Sequence, residues 1–374
     1  MPASSSGPDR RPGGARSGSF RCLQYEAGAA LTIAWQSSAL REFSGGRRTS
    51  GVEIRHECRS KGHDPDPAAG ASSREGGQLT PLGACGRIGP SMLETDIVRR
   101  AVRTALEEDL GPGDITSRRV LDAVTTARGI VVAREPIVVA GLPVAKEVFL
   151  QVDSTLVFES RGQDGEECAA GARVATVRGS ARAILAAERT ALNFLQRMSG
   201  IATATRRAVA LAGAARVQIS ETRKTAPGLR ALDRYAVRTG GGTNHRAGLF
   251  DAILVKDNHW RLAGGVGAAV RRARLGRGSD DRGSGPVEVE ATTVEEMDEA
   301  IQAGADAVLL DNMVRPTLQR AVSVGRGRVF LEVSGGVREE DIPFLASLGV
   351  DRISLGFLTH SVRAADLALE VEPG

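Results

Sequence analysis

The chain has 374 residues, enough for two domains and a sizeable core. Its formal charge of +4 belongs wholly to residues 1–91, which hold twelve Lys and Arg against eight Asp and Glu; the remaining 37 of each sign cancel. With a neutral body, 3% aromatic residues and no run of about 18 apolar residues, neither a nucleic-acid stacking surface nor a membrane-spanning helix organises this protein.

Residues 1–91 are rich in Ser, Gly, Arg and Pro without a sustained period, and are expected to be disordered. Their arginines suit a transit peptide but their acidic residues do not, and a natural start at Met92 is the alternative. Cys22, Cys58 and Cys85 lie here, irregularly spaced and without C-x-x-C, so neither a disulfide framework nor a zinc site is indicated. From Leu93 the pattern is regular. Ile97, Val98, Ala101, Val102, Ala105 and Leu106 recur at helical spacing behind Glu94-Thr95-Asp96, predicting a helix that stops at Leu110-Gly111-Pro112-Gly113. Gly129–Ala133 and Ile137–Ala140, split by Glu135-Pro136, read as a strand pair. Thr155–Phe158 and Arg173–Val177 read as further strands around a glycine- and acid-rich turn, and Cys168 as a small, partly buried hydrophobe. A long helical pattern begins at Ala181 and is expected to end near Ser199-Gly200. These elements predict a small α+β unit over residues 92–205, completed by 361–374.

Residues 206–360 have another rhythm. Apolar runs at Ala252–Val255, Val287–Val289, Ala307–Leu310, Val329–Val333 and Arg352–Leu355 read as strands. Helical patterns at Thr293–Ala303, Pro316–Val324 and Glu339–Leu348 lie between the later ones. Such alternation predicts parallel βαβ units and a barrel-like sheet, with residues 276–285 interrupting it as a flexible surface loop.

Each strand ends in polar residues: Lys256, Glu290, Asp311-Asn312, Ser334-Gly335-Gly336 and Ser354-Leu355-Gly356. In barrels of alternating strands and helices the site lies at the carboxyl ends of the strands, so these endings are expected to share one site. The chain also has 45 arginines and only four lysines, of which Lys224 and Lys256 both fall in the stretch 221–259. An ammonium kept there among arginines suggests a need for a compact charge. Arg223, Lys224, His245, Arg246 and Lys256 make a cationic pocket for carboxylates and phosphates. Glu290 and Asp311 are hard oxygen donors of the kind Mg²⁺ uses when substrate phosphates and water complete its shell. The two glycine-containing loops offer N–H groups to a phosphomonoester. Arg230, Arg234 and Arg238, four residues apart, read as one solvated helix face, and His259 and His360 are left unassigned, a structural role being the commoner case.

T-R-K-T-x-P-G-L-R at Thr222–Arg230, G-G-G-x-N-H-R at Gly240–Arg246, K-D-N-H at Lys256–His259, V-E-V-E at Val287–Glu290, L-L-D-N at Leu309–Asn312 and S-G-G at Ser334–Gly336 together resemble the quinolinate phosphoribosyltransferases. E-D-L-G-x-G-D-I-T-S at Glu108–Ser117 and A-E-R-T at Ala187–Thr190 extend the match. The resemblance implies an α/β fold: an N-terminal α/β sandwich followed by an incomplete α/β barrel of six or seven strands. It implies a cytoplasmic homodimer with shared active sites, open to higher assembly, that binds no nucleic acid or membrane. It also implies phosphoribosyl transfer from 5-phosphoribosyl 1-diphosphate to quinolinate with decarboxylation, dependent on Mg²⁺. By motif, Arg223, Lys224, His245 and Arg246 would grip quinolinate, with Arg189 reaching in from the partner. Lys256 would contact the diphosphate, and Glu290 and Asp311 the metal and ribose hydroxyls. Ser334–Gly336 and Ser354, Leu355 and Gly356 would hold the 5-phosphate. Lys224, Lys256, Glu290 and Asp311 are the catalytic candidates. Glu221 stands where Asp is expected, Phe357 where a small residue is, and 276–285 resembles an insertion. The rivals are a nicotinate-specific sibling, a molybdenum-associated homologue, a phosphate-binding barrel lyase or isomerase, and a nucleic-acid binder using the tail.

Overall fold

The computed structural model describes residues 93–275 and 285–374. The expectations for the tail, and for all of the 276–285 loop but Gly285, lie outside the described residues. Helix α1 (Thr95–Leu110) buries Val98, Val102 and Leu106 one turn apart, as its period predicts. Helix α2 (Ile115–Val120) starts at Asp114, whose carboxylate accepts the Thr116 and Ser117 N–H groups at 2.9 and 3.1 Å. Strand β1 (Thr126–Ala133) has both edges occupied, by strands introduced below. Strand β2 (Ile137–Val138) therefore cannot pair with it, and the expected hairpin is absent. β2 joins the short strand β4 (Glu167–Cys168) instead.

Helix α3 (Leu142–Val152) follows β2 directly, so its apolar period merges with the preceding run and escapes a reading by pattern. Strands β3 (Val157–Ser160) and β5 (Arg173–Ser180) lie where strands are expected, and they pair antiparallel. Helix α4 (Ala181–Ala212) runs twelve residues past the expected stop at Gly200. Gly200 serves close approach and not termination: a Cβ there would lie 2.2 Å from the Arg363 carbonyl oxygen. The C-terminal strand β12 (Leu367–Pro373) completes an antiparallel sheet in the order β12-β1-β5-β3. The hydrophobic core around this sheet takes in α4 from Ala181 to Ala202, whereas Ala208 and Ala212 of the same helix belong to a second core.

That second core packs on a six-stranded, wholly parallel sheet. Its strands are β6 (Gln218–Ser220), β7 (Ile253–Val255), β8 (Val287–Ala291), β9 (Ala307–Asp311), β10 (Phe330–Ser334) and β11 (Arg352–Ser354), in the order β6-β11-β10-β9-β8-β7. No closing pair between β6 and β7 is present among the described residues, so the barrel is open. Helices α5 (Arg230–Thr239), α6 (Asp257–Ala263), α7 (Val266–Leu275), α8 (Val294–Gln302), α9 (Arg315–Gly325), α10 (Ile342–Leu348) and α11 (Phe357–His360) connect the strands, with a 3₁₀ turn at Glu339–Asp341 before α10. Among the described residues no helix is long and apolar enough to cross a membrane.

One sheet face carries the apolar core and the other does not. In V-E-V-E-A, Val287, Val289 and Ala291 join the hydrophobic cluster under the helices, so Glu288 and Glu290 point to the opposite face. The register extends that polar face across the sheet: Glu290 stands beside Leu309, Leu309 beside Glu332, and Glu332 beside Arg352. Two residues nearer the carboxyl ends, Asp311 stands beside Ser334, and Ser354 beside Ser220. The strand endings singled out in the sequence thus form one rim on one side of one sheet.

Candidate active site

Below the rim lies a buried ionic cluster, of which the motifs contain His245 and Glu288 but not Glu332 or Arg352. Arg352 donates to Glu332 at 2.9 Å, and His245 Nε2 lies 3.4 Å from Glu332 and 3.5 Å from Glu288. Burial opposes ionisation of both carboxyls. At Glu332 the charges of His245 and Arg352 overcome it and hold the pKa below the ordinary value, whereas at Glu288 burial and the charge of Glu332 prevail and push it well up. Burial pushes His245 down, but Glu332 and Glu288 more than offset that and lift its affinity for a second proton. His245 Nδ1 faces the Arg246 N–H at 2.7 Å. Both ring nitrogens thus face groups of the protein, and through Nδ1 His245, expected to grip a carboxylate, also meets the Arg246 backbone. The signal for this cluster was present in the strict alternation of V-E-V-E, L-E-V-S and R-I-S, whose polar members share a face.

Around His245 the cationic loops are drawn together by a second buried carboxylate. Glu221, at the exit of β6, accepts from Arg234 of α5 at 2.9 Å and from Asn244 at 2.9 Å. Burial raises its pKa, opposed by Arg234, Asn244 and His245. Arg234 also donates to the His245 carbonyl, Arg238 to Asn244, and Arg230 to the Ala247 carbonyl at 3.0 Å and the Thr225 hydroxyl at 3.1 Å. The expected solvated face of α5 holds for Arg238, which is exposed, whereas Arg230 and Arg234 are half-buried and buttress the two loops. A four-residue spacing fixes which residues share a face, not which way the face points.

The loops present Arg223 and Arg246. Each has a buried Nε–H without a hydrogen-bond partner, and neither forms an ion pair with a carboxylate among the described residues. Burial and then the charge of Arg223 lower the pKa of Arg246, so the two guanidiniums stand near each other. Lys224 is exposed, and its Cδ comes within 3.7 Å of where a Cβ on Gly356 would stand. It therefore sits against the second glycine-containing loop. Arg189 stands exposed on α4, in the half that packs on the antiparallel sheet, without a hydrogen bond or ion pair among the described residues.

At the other end of the rim Lys256 pairs with Glu290. His259 Nδ1, left unassigned from the sequence, accepts the Lys256 N–H at 2.9 Å and so caps α6. Asp311 accepts from Asn312 Nδ2 at 2.7 Å; Asn312 is left-handed, with φ 53°. Gly335, at φ +86°, packs so closely that a Cβ would lie 2.5 Å from Asn312 Cγ, which couples the L-D-N and S-G-G motifs sterically. Ser334 donates to the Ser354 carbonyl at 3.4 Å, and the Leu355 N–H to the Ser220 carbonyl at 2.8 Å. Phe357 is partly buried and packs against the barrel's hydrophobic core. Glu290 and Asp311 each keep one carboxylate oxygen without a partner among the described residues, a donor set that fits a hard divalent cation. Among the described residues the only group of three close candidate donors is a different one, His245, Glu288 and Glu332, and Arg352 already occupies one of its carboxylates.

Comparison with known proteins gives this rim a family. Residues 114–199 match the model of the quinolinate phosphoribosyl transferase N-terminal domain, and residues 201–370 that of its C-terminal domain. A nicotinate-nucleotide pyrophosphorylase [carboxylating] of Mycobacterium leprae is 43% identical over 288 residues, covering 74% of this chain and 98% of that protein. A probable nicotinate-nucleotide pyrophosphorylase [carboxylating] of Bacillus subtilis is 40% identical over 264 residues, 71% of this chain and 90% of that one. The solved structure of the nicotinate-nucleotide pyrophosphorylase from Francisella tularensis superposes with a TM-score of 0.71 at 42% identity, over 76% of this chain and 99% of that one. Matched along both of its halves, the chain belongs to the quinolinate phosphoribosyl transferase family.

Proposed function

We propose that the protein transfers the phosphoribosyl group of 5-phosphoribosyl 1-diphosphate to the ring nitrogen of quinolinate. Pyrophosphate and then CO₂ leave, and nicotinate mononucleotide remains, a step of de novo NAD biosynthesis. The observation that carries this reading is the Arg223–Arg246 pair. Two neighbouring guanidiniums, each with an unpartnered buried N–H, call for an anion with more than one carboxylate. Quinolinate, with carboxylates on adjacent ring carbons, meets both cations; a monocarboxylate leaves one of them unpaired.

The cations serve a second purpose. Quinolinate and the donor are both polyanions, and their charge must be offset before the nitrogen can approach C1. The nitrogen lone pair then forms the bond to C1 as the C1–oxygen bond breaks toward pyrophosphate. Glu290 and Asp311 face the positive charge that develops at the anomeric carbon. The ring nitrogen, now quaternary, accepts the electron density left at C2 when the bond to the 2-carboxylate breaks, and C2 takes a proton from solvent. No separate base is needed for that step. Lys256 stands where it can meet the diphosphate, and the loops Ser334–Gly336 and Ser354–Gly356 supply N–H groups for the 5-phosphate. Lys224 bridges the carboxylate side to the second of these loops. Glu290 and Asp311 would hold Mg²⁺ through substrate and water, where the ion supplies charge neutralisation for the departing pyrophosphate.

The reading includes a cytoplasmic homodimer in which Arg189, without a hydrogen bond or ion pair among the described residues, serves the partner's site. Incubating the protein with quinolinate, 5-phosphoribosyl 1-diphosphate and Mg²⁺ tests it directly. Equal amounts of CO₂ and pyrophosphate are expected, and no product when nicotinate replaces quinolinate. Turnover of nicotinate, or neither product from quinolinate, would overturn the reading.

A further inference from the structure

One buried polar network joins the loops assigned to the two substrates. Thr359, 1% exposed on α11, donates its hydroxyl to the Lys224 carbonyl at 2.9 Å. The Thr359 carbonyl accepts from Arg197 of α4 at 3.2 Å. Arg197 also forks onto Asp233 of α5, with bonds of 2.8 and 2.7 Å. Asp233, wholly buried, accepts the Ala226 N–H at 3.3 Å. Four separate elements thus close a ring: Lys224 to Thr359, Thr359 to Arg197, Arg197 to Asp233, and Asp233 back to Ala226, two residues from the start. The T-R-K-T-A loop is held at two points, one carbonyl and one N–H.

The ring also reaches the phosphate side. Helix α11 begins directly after Ser354-Leu355-Gly356, and the Thr359 N–H bonds to the Gly356 carbonyl at 3.2 Å. Asp233 is wholly buried and Arg197 about a quarter exposed, and a carboxylate taken out of water in this way is retained only with good geometry. Here that geometry fixes the backbone of a loop whose side chains are the carboxylate-binding cations. Resting on the functional reading above, we propose that Thr359, with Arg197 and Asp233, is a positioning residue that makes the Lys224 loop and the Gly356 loop one rigid unit, so that an anion bound at either orders the other.

Thr359→Val keeps the shape and removes the hydroxyl; Thr359→Ser keeps the hydroxyl. Two probes isolate the sites without turnover: phthalate, a dicarboxylate lacking the ring nitrogen, and ribose 5-phosphate. In calorimetry of the unmutated protein, saturating ribose 5-phosphate is expected to tighten phthalate at least about fivefold. T359V is expected to reduce that factor below about twofold and T359S to preserve it. Amide hydrogen exchange over residues 222–226, measured without ligand, is expected to quicken in T359V and not in T359S. Retained coupling in T359V, unchanged exchange, or equal losses in T359S would overturn the proposal. Should T359V not fold, Thr359→Ala is read in the same way. Unmutated protein that binds no phthalate sinks the functional reading, while the exchange measurement still decides whether Thr359 holds the loop. Independent binding of the two probes to unmutated protein sinks the proposal and leaves the functional reading standing.

Discussion

Arg246 shows how much one residue's role depends on what lies under it. Its Nε–H is buried and unpartnered, its backbone N–H is tied to His245, and His245 in turn rests on Glu332 and Glu288. Removing the guanidinium takes away charge-assisted bonds worth about 1.5–3 kcal/mol. Arg246→Ala is therefore expected to raise the KM for quinolinate by about 10- to 100-fold, with a much smaller change for the phosphoribosyl donor; steady-state kinetics with each substrate varied in turn checks this. Asp311 belongs to the other half of the rim. Asp311→Asn is expected to raise the Mg²⁺ concentration needed for half-maximal turnover while quinolinate binding, read by calorimetry, stays the same. The residues at the strand ends were legible because each follows an apolar run. Glu288, Glu332 and Arg352 were not singled out, because a buried charge inside a strand gains its meaning only from the neighbouring strands that the register brings beside it.

Among the elements, the parallel strands were the most legible. Their β-branched runs and polar endings survive any arrangement of what surrounds them, and β8 to β11 stand within two residues of expectation. The N-terminal sheet was harder to read. Glu135-Pro136 looks like a hairpin turn, but pairing depends on which edges remain free, and β1 is already flanked by β5 and β12 from distant parts of the chain. Gly200 looks like a helix stop, yet a stop requires the chain to turn, and here the glycine admits a neighbouring backbone. Asp114 is the reverse case: a residue noticed within a family motif whose visible work is to cap α2. Its hydrogen bonds to Ser117 lower its pKa from the ordinary 3.8. A carboxyl depressed in the fold stabilises above its unfolded pKa and loses that contribution as pH falls through the folded value. Asp114→Ala is accordingly expected to cost about 1 kcal/mol near neutral pH. The difference should shrink as pH falls below 3.8, as denaturant titrations at several pH values would register.

For the whole molecule the central question is whether one chain suffices for one site. If Arg189 serves the partner and Lys256 its own chain, Arg189→Ala and Lys256→Ala each abolish turnover alone. Mixed and reassembled, they are expected to recover about a quarter of the unmutated activity, since half the dimers are mixed and each holds one intact site. Absence of recovery, with mixed dimers verified by mass, would mean that each site takes both residues from one and the same chain. Helix α4 bears on a broader matter. It carries Arg189 and Arg197 on one continuous rod, and it crosses from one hydrophobic core to the other without a break. The two family models meet at residues 199 and 201, in the middle of that rod. The halves are therefore not interchangeable modules: a chimera spliced at the seam must satisfy two interiors with one helix, and heat should melt both interiors together in a single transition.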